Sequence, residues 1–151
     1  MNILDELKSV SKGLVQKDEP MARHTYYGIG GPALAYITPR DAEDLSIILK
    51  FGEKNSLPIY FIGSGSNILV SDSGIHGLVI RPPKSLKKLE FNGNIIFAES
   101  GLMLGRLVRE SIKRNLTGLE SLVGVPGTLG GALVMNAGAF GGEISNYLKY
   151  V

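Results

Sequence analysis

The sequence predicts an α+β chain, arranged as one domain or two small lobes. Three observations carry that expectation. Helix-like and strand-like periodicities follow one another along the chain. Two glycine-rich loops, Gly63–Asn67 and Pro126–Gly131, interrupt them. The length of 151 residues suffices for a sizeable core, since a folded chain of this size buries roughly 68–70% of its unfolded surface.

The elements are justified in chain order. Ile3, Leu4, Leu7, Val10 and Leu14 recur at helical spacing and predict an amphipathic helix over residues 2–16, laid on a neighbour. Residues 1–19 are read as this N-terminal helix and residues 20–151 as the main domain. His24 to Pro32 is rich in turn formers, and Ala33 to Thr38 reads as a short strand. Thr38-Pro39 with Asp41 close behind starts a helix that runs to about Asn55, with Ala42, Leu45, Ile48, Leu49 and Gly52 on its inner face. Pro58 to Ile62 reads as a buried strand that runs into Gly63–Asn67, with Ile68 to Val70 following. Leu78 to Ile80 is a further strand. Leu89 to Phe91 and Ile95 to Ala98 form a hairpin closed by Asn92-Gly93-Asn94. Leu102, Leu104, Leu107, Val108 and Ile112 mark a helix over 102–114. Asn146 to Val151 alternates like a strand just beginning, with no turn after it, which predicts a truncated protein.

Composition narrows the function classes. Glycine, with 20 residues, is about twice its usual ~7% share and is the only outlier. The formal charge is +2, and the basic residues are scattered apart from Lys84, Lys87 and Lys88 near a Pro82-Pro83 turn, so nucleic-acid binding is not suggested. The absence of cysteine excludes disulfides, thiolate metal sites and cysteine nucleophiles, and fits a reducing compartment. Asp5 and Glu6 interrupt the first apolar run, unlike a secretory signal. A cytoplasmic protein is expected.

The segment Ser121 to Gly142 runs for 22 residues without a charge and contains seven glycines. Its length matches a bilayer span, but Pro126, Thr128, Asn136 and the glycines break any continuous apolar helix, so no membrane segment is expected. A buried structural loop without a ligand is one reading. The favoured reading is a backbone built to touch a nucleotide, because glycine lets the main chain come close to phosphate and leaves N–H groups free to face its oxygens. Gly63-Ser64-Gly65-Ser66-Asn67 follows a strand and offers N–H groups and short polar side chains to an anion. It is neither G-x-G-x-x-G nor a P-loop, and an ordinary polar turn is the alternative. Pro126 to Gly131 precedes Ala132 to Met135, read as a short helix whose N-terminus adds partial positive charge. Two such loops imply a diphosphate held from both sides.

Taken together, Gly63-Ser-Gly-Ser-Asn67, Gly118-Leu-Glu120, Val125-Pro-Gly-Thr-Leu-Gly-Gly131 and Asn136-Ala-Gly-Ala-Phe-Gly-Gly-Glu143 resemble the UDP-N-acetylenolpyruvoylglucosamine reductases, also called UDP-N-acetylmuramate dehydrogenases. Thr25, Gly30 and Gly31 match that family's early pattern, with His24 in place of its usual Asn. The resemblance covers about residues 20–151. It implies a two-lobed FAD-binding domain of the PCMH type, in the vanillyl-alcohol oxidase-like superfamily. It further implies FAD, with Gly63, Ser64, Gly65, Ser66, Asn67, Gly127, Thr128, Gly130 and Gly131 around the pyrophosphate and Asn136, Ala137 and Gly138 near the flavin end.

The same resemblance implies NADPH as reductant and an enolpyruvyl UDP-sugar as substrate, with UDP-N-acetylmuramate made for peptidoglycan. The family's serine proton donor, its assisting arginine and glutamate, and its substrate-binding domain are then expected beyond residue 151, so no catalytic residue is assigned within this chain. No metal site is expected. Glu99, Glu120 and Glu143 show no paired acid–base spacing and read as structural. His24 and His76 read as surface residues on turns. Tyr26 and Tyr27 either line the flavin or pack at the domain entrance. Two other functions remain open: another FAD oxidoreductase of the same fold, and a non-catalytic flavin or nucleotide-binding module.

Overall fold

Asn2 caps the first helix, α1 (Ile3–Val10), its side-chain oxygen accepting the Leu4 N–H at 3.3 Å. The computed structural model describes residues 2–82 and 86–151, so Pro83 and Lys84 of the expected basic turn lie outside the described residues. The chain divides into two compact units, residues 1–85 and 86–151, each with its own apolar core.

In the first unit α1 stops at Val10, not at residue 16, and Leu14 opens a strand, β1 (Leu14–Pro20). Leu14 has helical spacing from Val10, but Gly13 lies tight against the Thr38–Pro39 backbone. The following residues pair antiparallel with β2 (Pro32–Thr38), from Leu14 opposite Thr38 to Pro20 opposite Pro32. The ladder satisfies backbone groups at both ends of the strand, on either side of Asp18, and that tertiary gain overrides local periodicity.

β2 also pairs parallel with β4 (Ile75–Ile80), and β3 (Ile59–Phe61) pairs parallel with the other side of β4, giving the order β1-β2-β4-β3. The run Leu78-Val79-Ile80 is buried throughout, as a central parallel strand covered on both faces requires. Ala35, Ile37, Leu78 and Ile80 face α1 and α2 (Ala42–Lys54), where they pack with Leu4, Leu7, Ile48 and Phe51. Tyr36 and Val79 face the opposite way, against Met21, Ile62 and Val70. Residues 59–61 are not the buried strand expected. β4 is inserted between β2 and β3, so among the described residues β3 has one neighbour, and Tyr60 and Phe61 are exposed.

Asp41 caps α2, accepting the Asp44 N–H at 2.9 Å. This bond, with help from the Arg40 guanidinium, holds the Asp41 carboxyl below its usual pKa. Ile48, Phe51 and Gly52 form the buried face, Leu45 and Leu49 flank it, and Ala42 is exposed. Asp44 is fully buried. Its two oxygens accept the N–H groups of Lys12 and Arg40, each at 2.8 Å, tying the α1–β1 turn to the start of α2. A buried carboxylate persists when hydrogen bonds replace its water.

In the second unit β5 (Leu89–Asn92) and β6 (Ile95–Ala98) form the expected hairpin, with Gly93-Asn94 as its two-residue turn. α3 (Leu104–Ile112) buries Leu104, Leu107, Val108 and Ser111, the i, i+3, i+4, i+7 stripe of an amphipathic helix. It is shorter than the expected 102–114 because Leu102 is drawn out of the helix to accept the Leu129 N–H at 2.7 Å. α4 (Leu129–Val134) follows, then a hairpin of β7 (Gly138–Ala139) and β8 (Gly142–Glu143). Its turn residues Phe140 and Gly141 both have positive φ, the signature of a type I′ turn. Leu102, Leu104, Leu107, Val108, Leu122, Leu129, Ala132 and Ile144 form the core. The chain end is not the expected strand: Ile144–Tyr147 is a 3₁₀ turn, and Leu148 to Val151 has no ladder partner among the described residues. No described helix is long and apolar enough to cross a membrane.

Candidate functional site

The loop Gly63–Asn67 leaves the C-terminal end of β3, where ligands gather in sheets with parallel strands. The N–H groups of Gly63, Ser64, Gly65 and Asn67 have no hydrogen-bond partner among the described residues. Ser64 and Asn67 are exposed, and the Ser64 and Ser66 hydroxyls lie 3.4 Å apart. A concentration of unpaired N–H groups beside two hydroxyls in a turn is suited to phosphate oxygens. An apolar recess of about 250 Å³ adjoins it, lined by Tyr27, Ile29, Asn67, Ile68 and Leu69.

Gly65 has a more specific duty than its sequence suggests. It is buried with φ +71°, and a Cβ there would strike the His24 carbonyl oxygen and come within 3.1 Å of the Thr25 Cα. The close approach that requires glycine is therefore to the chain's own backbone. The contact is sealed by the Tyr26 N–H, which donates to the Gly65 carbonyl at 2.8 Å. The Thr25 hydroxyl closes the turn below it by donating to the Ile29 carbonyl at 2.8 Å. Sequence reasoning missed this seat, although Thr25 stood in the pattern that carried the resemblance.

His24 is not a surface residue. Its ring stacks on Tyr36 with centroids 3.8 Å apart, and its Nε2 lies 3.0 Å from an oxygen of Glu19, which is itself buried. Burial pushes the Tyr36 hydroxyl above its usual pKa, and the charge of Arg81 opposes that shift. Arg81 stands close enough to act electrostatically on the hydroxyl, while among the described residues the buried Tyr36 oxygen has no hydrogen-bond partner of ordinary geometry. His76 is exposed and lies on β4 instead of a turn. Tyr26 and Tyr27 are both exposed, Tyr27 at the apolar recess.

In the second unit Thr128 caps α4, its hydroxyl accepting the Gly131 N–H at 3.3 Å. The Leu129 and Gly130 N–H groups donate to the Leu102 and Ser100 carbonyls at 2.7 and 2.9 Å. The first turn of this six-residue helix is thus satisfied by the protein, and the helix N-terminus is not the open anion site expected. Gly127 and Thr128 retain N–H groups without a partner among the described residues. Asn136, at φ +44°, accepts the Ser145 N–H at 3.2 Å, while Ala137 bonds to Ala132 and Ile144. Gly138 begins the short hairpin.

The three carboxylates read as structural do have local partners. Glu99 accepts the Lys88 N–H at 2.7 Å, Glu120 the Gly118 N–H at 2.6 Å, and Glu143 the Ser145 hydroxyl at 2.9 Å. A larger groove, of about 860 Å³, lies among β6, α3 and residues 144–151 and has largely apolar walls. Among the described residues no cluster of His, Asp and Glu has the makings of a metal site.

A two-unit α+β architecture with a glycine loop at a strand end is joined by a direct likeness: residues 33–151 match the family described as FAD binding domain. The chain belongs to that family. UDP-N-acetylenolpyruvoylglucosamine reductase of Alkaliphilus oremlandii is 41% identical over 142 residues, covering 94% of this chain and 47% of that protein. The crystal structure of UDP-N-acetylenolpyruvylglucosamine reductase from Thermus caldophilus superposes with a TM-score of 0.70 at 33% identity, over 87% of this chain and 45% of that one. Alkyldihydroxyacetonephosphate synthase, at 19% identity and a TM-score of 0.68 over 95% of this chain and 31% of its own, shares the fold alone. The fold is thus the PCMH-type flavin-domain fold. The chain spans about half the length of the curated relatives it matches.

Proposed function

We propose that this chain is the flavin-binding part of a cytoplasmic FAD-dependent reductase that converts UDP-N-acetylglucosamine enolpyruvate to UDP-N-acetylmuramate with NADPH, in peptidoglycan precursor synthesis. The supporting observation is the 41% identity to a reductase of that name across 94% of the chain. The unpaired N–H groups of Gly63, Ser64, Gly65 and Asn67 fit the diphosphate of such a cofactor.

In this reading those N–H groups and the Ser64 and Ser66 hydroxyls bind diphosphate oxygens, and the second unit's own contribution to cofactor binding is the N–H groups of Gly127 and Thr128. Gly130 and Gly131 serve by packing and capping α4. Asn136, with its carbonyl committed to Ser145, offers its amide N–H groups toward the flavin end, beside Ala137 and Gly138. Bound FAD supplies the two-electron chemistry, and the protein holds and orients it. The serine, arginine and glutamate of the chemistry, and the UDP-sugar site, are assigned to the portion of the relatives that this chain does not span.

The test is titration of the flavin-free chain with FAD, followed by NADPH and the enolpyruvyl UDP-sugar. Saturable FAD binding with no product is expected. No binding would overturn the cofactor assignment, and turnover would overturn the placing of the chemistry outside this chain.

A further inference from the structure

The side chains behind the 63–67 loop carry an inference that rests on the reading above. His24 presents two parts of itself to different neighbours. Its backbone carbonyl and the adjoining Thr25 form the surface against which Gly65 lies, with no room for a Cβ between them. Its ring is clamped on Tyr36 and bonded to Glu19 at 3.0 Å. Glu19 sits on β1, and its side chain is 9% exposed; Arg23 reaches its second oxygen at 3.5 Å. Tyr36 sits on β2 and is 2% exposed. A ring held by two strands of the sheet fixes the Cα of His24, and through it the seat of the loop. We propose that Glu19 and His24 are positioning residues that preorganise the N–H groups of Gly63, Ser64, Gly65 and Asn67 for the cofactor diphosphate.

The coupling has a direction. Loss of the Glu19–His24 bond leaves one oxygen of a buried carboxylate without its ring partner, with Arg23 at 3.5 Å from the other, and frees the His24 ring to leave Tyr36. The His24–Thr25 backbone then loses its anchor, and the loop loses the fixed surface against which Gly65 lies. Preorganisation of this kind acts on affinity, because a loose loop pays its ordering entropy when it binds.

The experiment reads two quantities on the full chain: amide hydrogen exchange at Tyr26, whose N–H is bonded to the Gly65 carbonyl at 2.8 Å, without flavin, and the FAD dissociation constant. His24→Ala and Glu19→Leu should raise both by about tenfold, the scale of one lost hydrogen bond to a charged group. Glu19→Gln keeps a carbonyl acceptor for the His24 ring N–H and should restore both to within about threefold of wild type. Ile48→Ala, in the other core of the same unit, should lower stability and leave both unchanged. Unaltered Tyr26 exchange in His24→Ala and Glu19→Leu would overturn the positioning role, as would an equal effect of Ile48→Ala. A wild-type chain that takes up no FAD would overturn the function proposed above, and the exchange data alone would then decide the role of Glu19 and His24.

Discussion

Replacing Gly65 by alanine measures how far the glycine loop is built against the protein itself. At φ +71° an L-residue costs about 1–2 kcal/mol from contact of its Cβ with its own backbone. The new methyl group also meets the His24 carbonyl, so the loop must lift and the Tyr26–Gly65 hydrogen bond is lost, at about 0.5–1.5 kcal/mol. The expected loss of stability is therefore about 1.5–3.5 kcal/mol. Gly28 supplies the control: its φ is +66° and no heavy atom lies within 4 Å of a Cβ built there. Gly28→Ala should cost only the backbone share, about 1–2 kcal/mol. Urea denaturation of the flavin-free chains gives both values, with the slope expected to stay constant. FAD affinity should fall in Gly65→Ala together with stability. Equal costs for the two substitutions would refute the idea that Gly65 is selected by its contact with His24.

Other changes have defined outcomes. Asp44→Ala removes the acceptor of the Lys12 and Arg40 N–H groups and should cost about 2–4 kcal/mol in denaturation, with Asp44→Asn intermediate. Glu110 is held by Lys113 and Arg114 with its pKa lowered to about 2. A carboxylate depressed in the folded state stabilises above its unfolded pKa and ceases to as pH falls through its folded one. Melting midpoints of wild type should therefore fall more steeply than those of Glu110→Gln between about pH 4.5 and pH 2; parallel curves would deny the pair any role. Phe140 is 94% exposed at φ +51° on its hairpin turn. Phe140→Asn should stabilise by about 1 kcal/mol in a thermal melt, because Asn tolerates this conformation.

The elements that the sequence revealed are those whose local chemistry and tertiary role agree. The 89–98 hairpin has a glycine turn between two apolar runs, and α2 has Asp41 at its start and a buried stripe behind it. β1 was hidden because Leu14 continues the spacing of α1, and only pairing with β2 makes it a strand. β3 was assigned to the interior from an apolar run, but β4 comes later in the chain and takes the place between it and β2. The alternation at 146–151 has no ladder partner among the described residues. At the candidate site, the loop at 63–67 was legible as a glycine-serine turn after a strand. Its support was not: the contact of Gly65 with His24, and of His24 with Glu19 and Tyr36, joins residues distant in sequence. The capping of α4 by Ser100 and Leu102 was concealed for the same reason.

The central claim is that this chain binds FAD through its diphosphate and flavin, and a thermal melt of the flavin-stripped chain tests it most directly. FAD at about 100 times its dissociation constant adds ~2.7 kcal/mol to a folded state that alone binds it. For a chain of this size that is a rise of roughly 5–10 °C in the melting midpoint. AMP, which lacks the diphosphate and the flavin, should produce little shift at the same concentration. A large shift with FAD and little with AMP is the result the account predicts; no shift with FAD, or equal shifts with both, would contradict it.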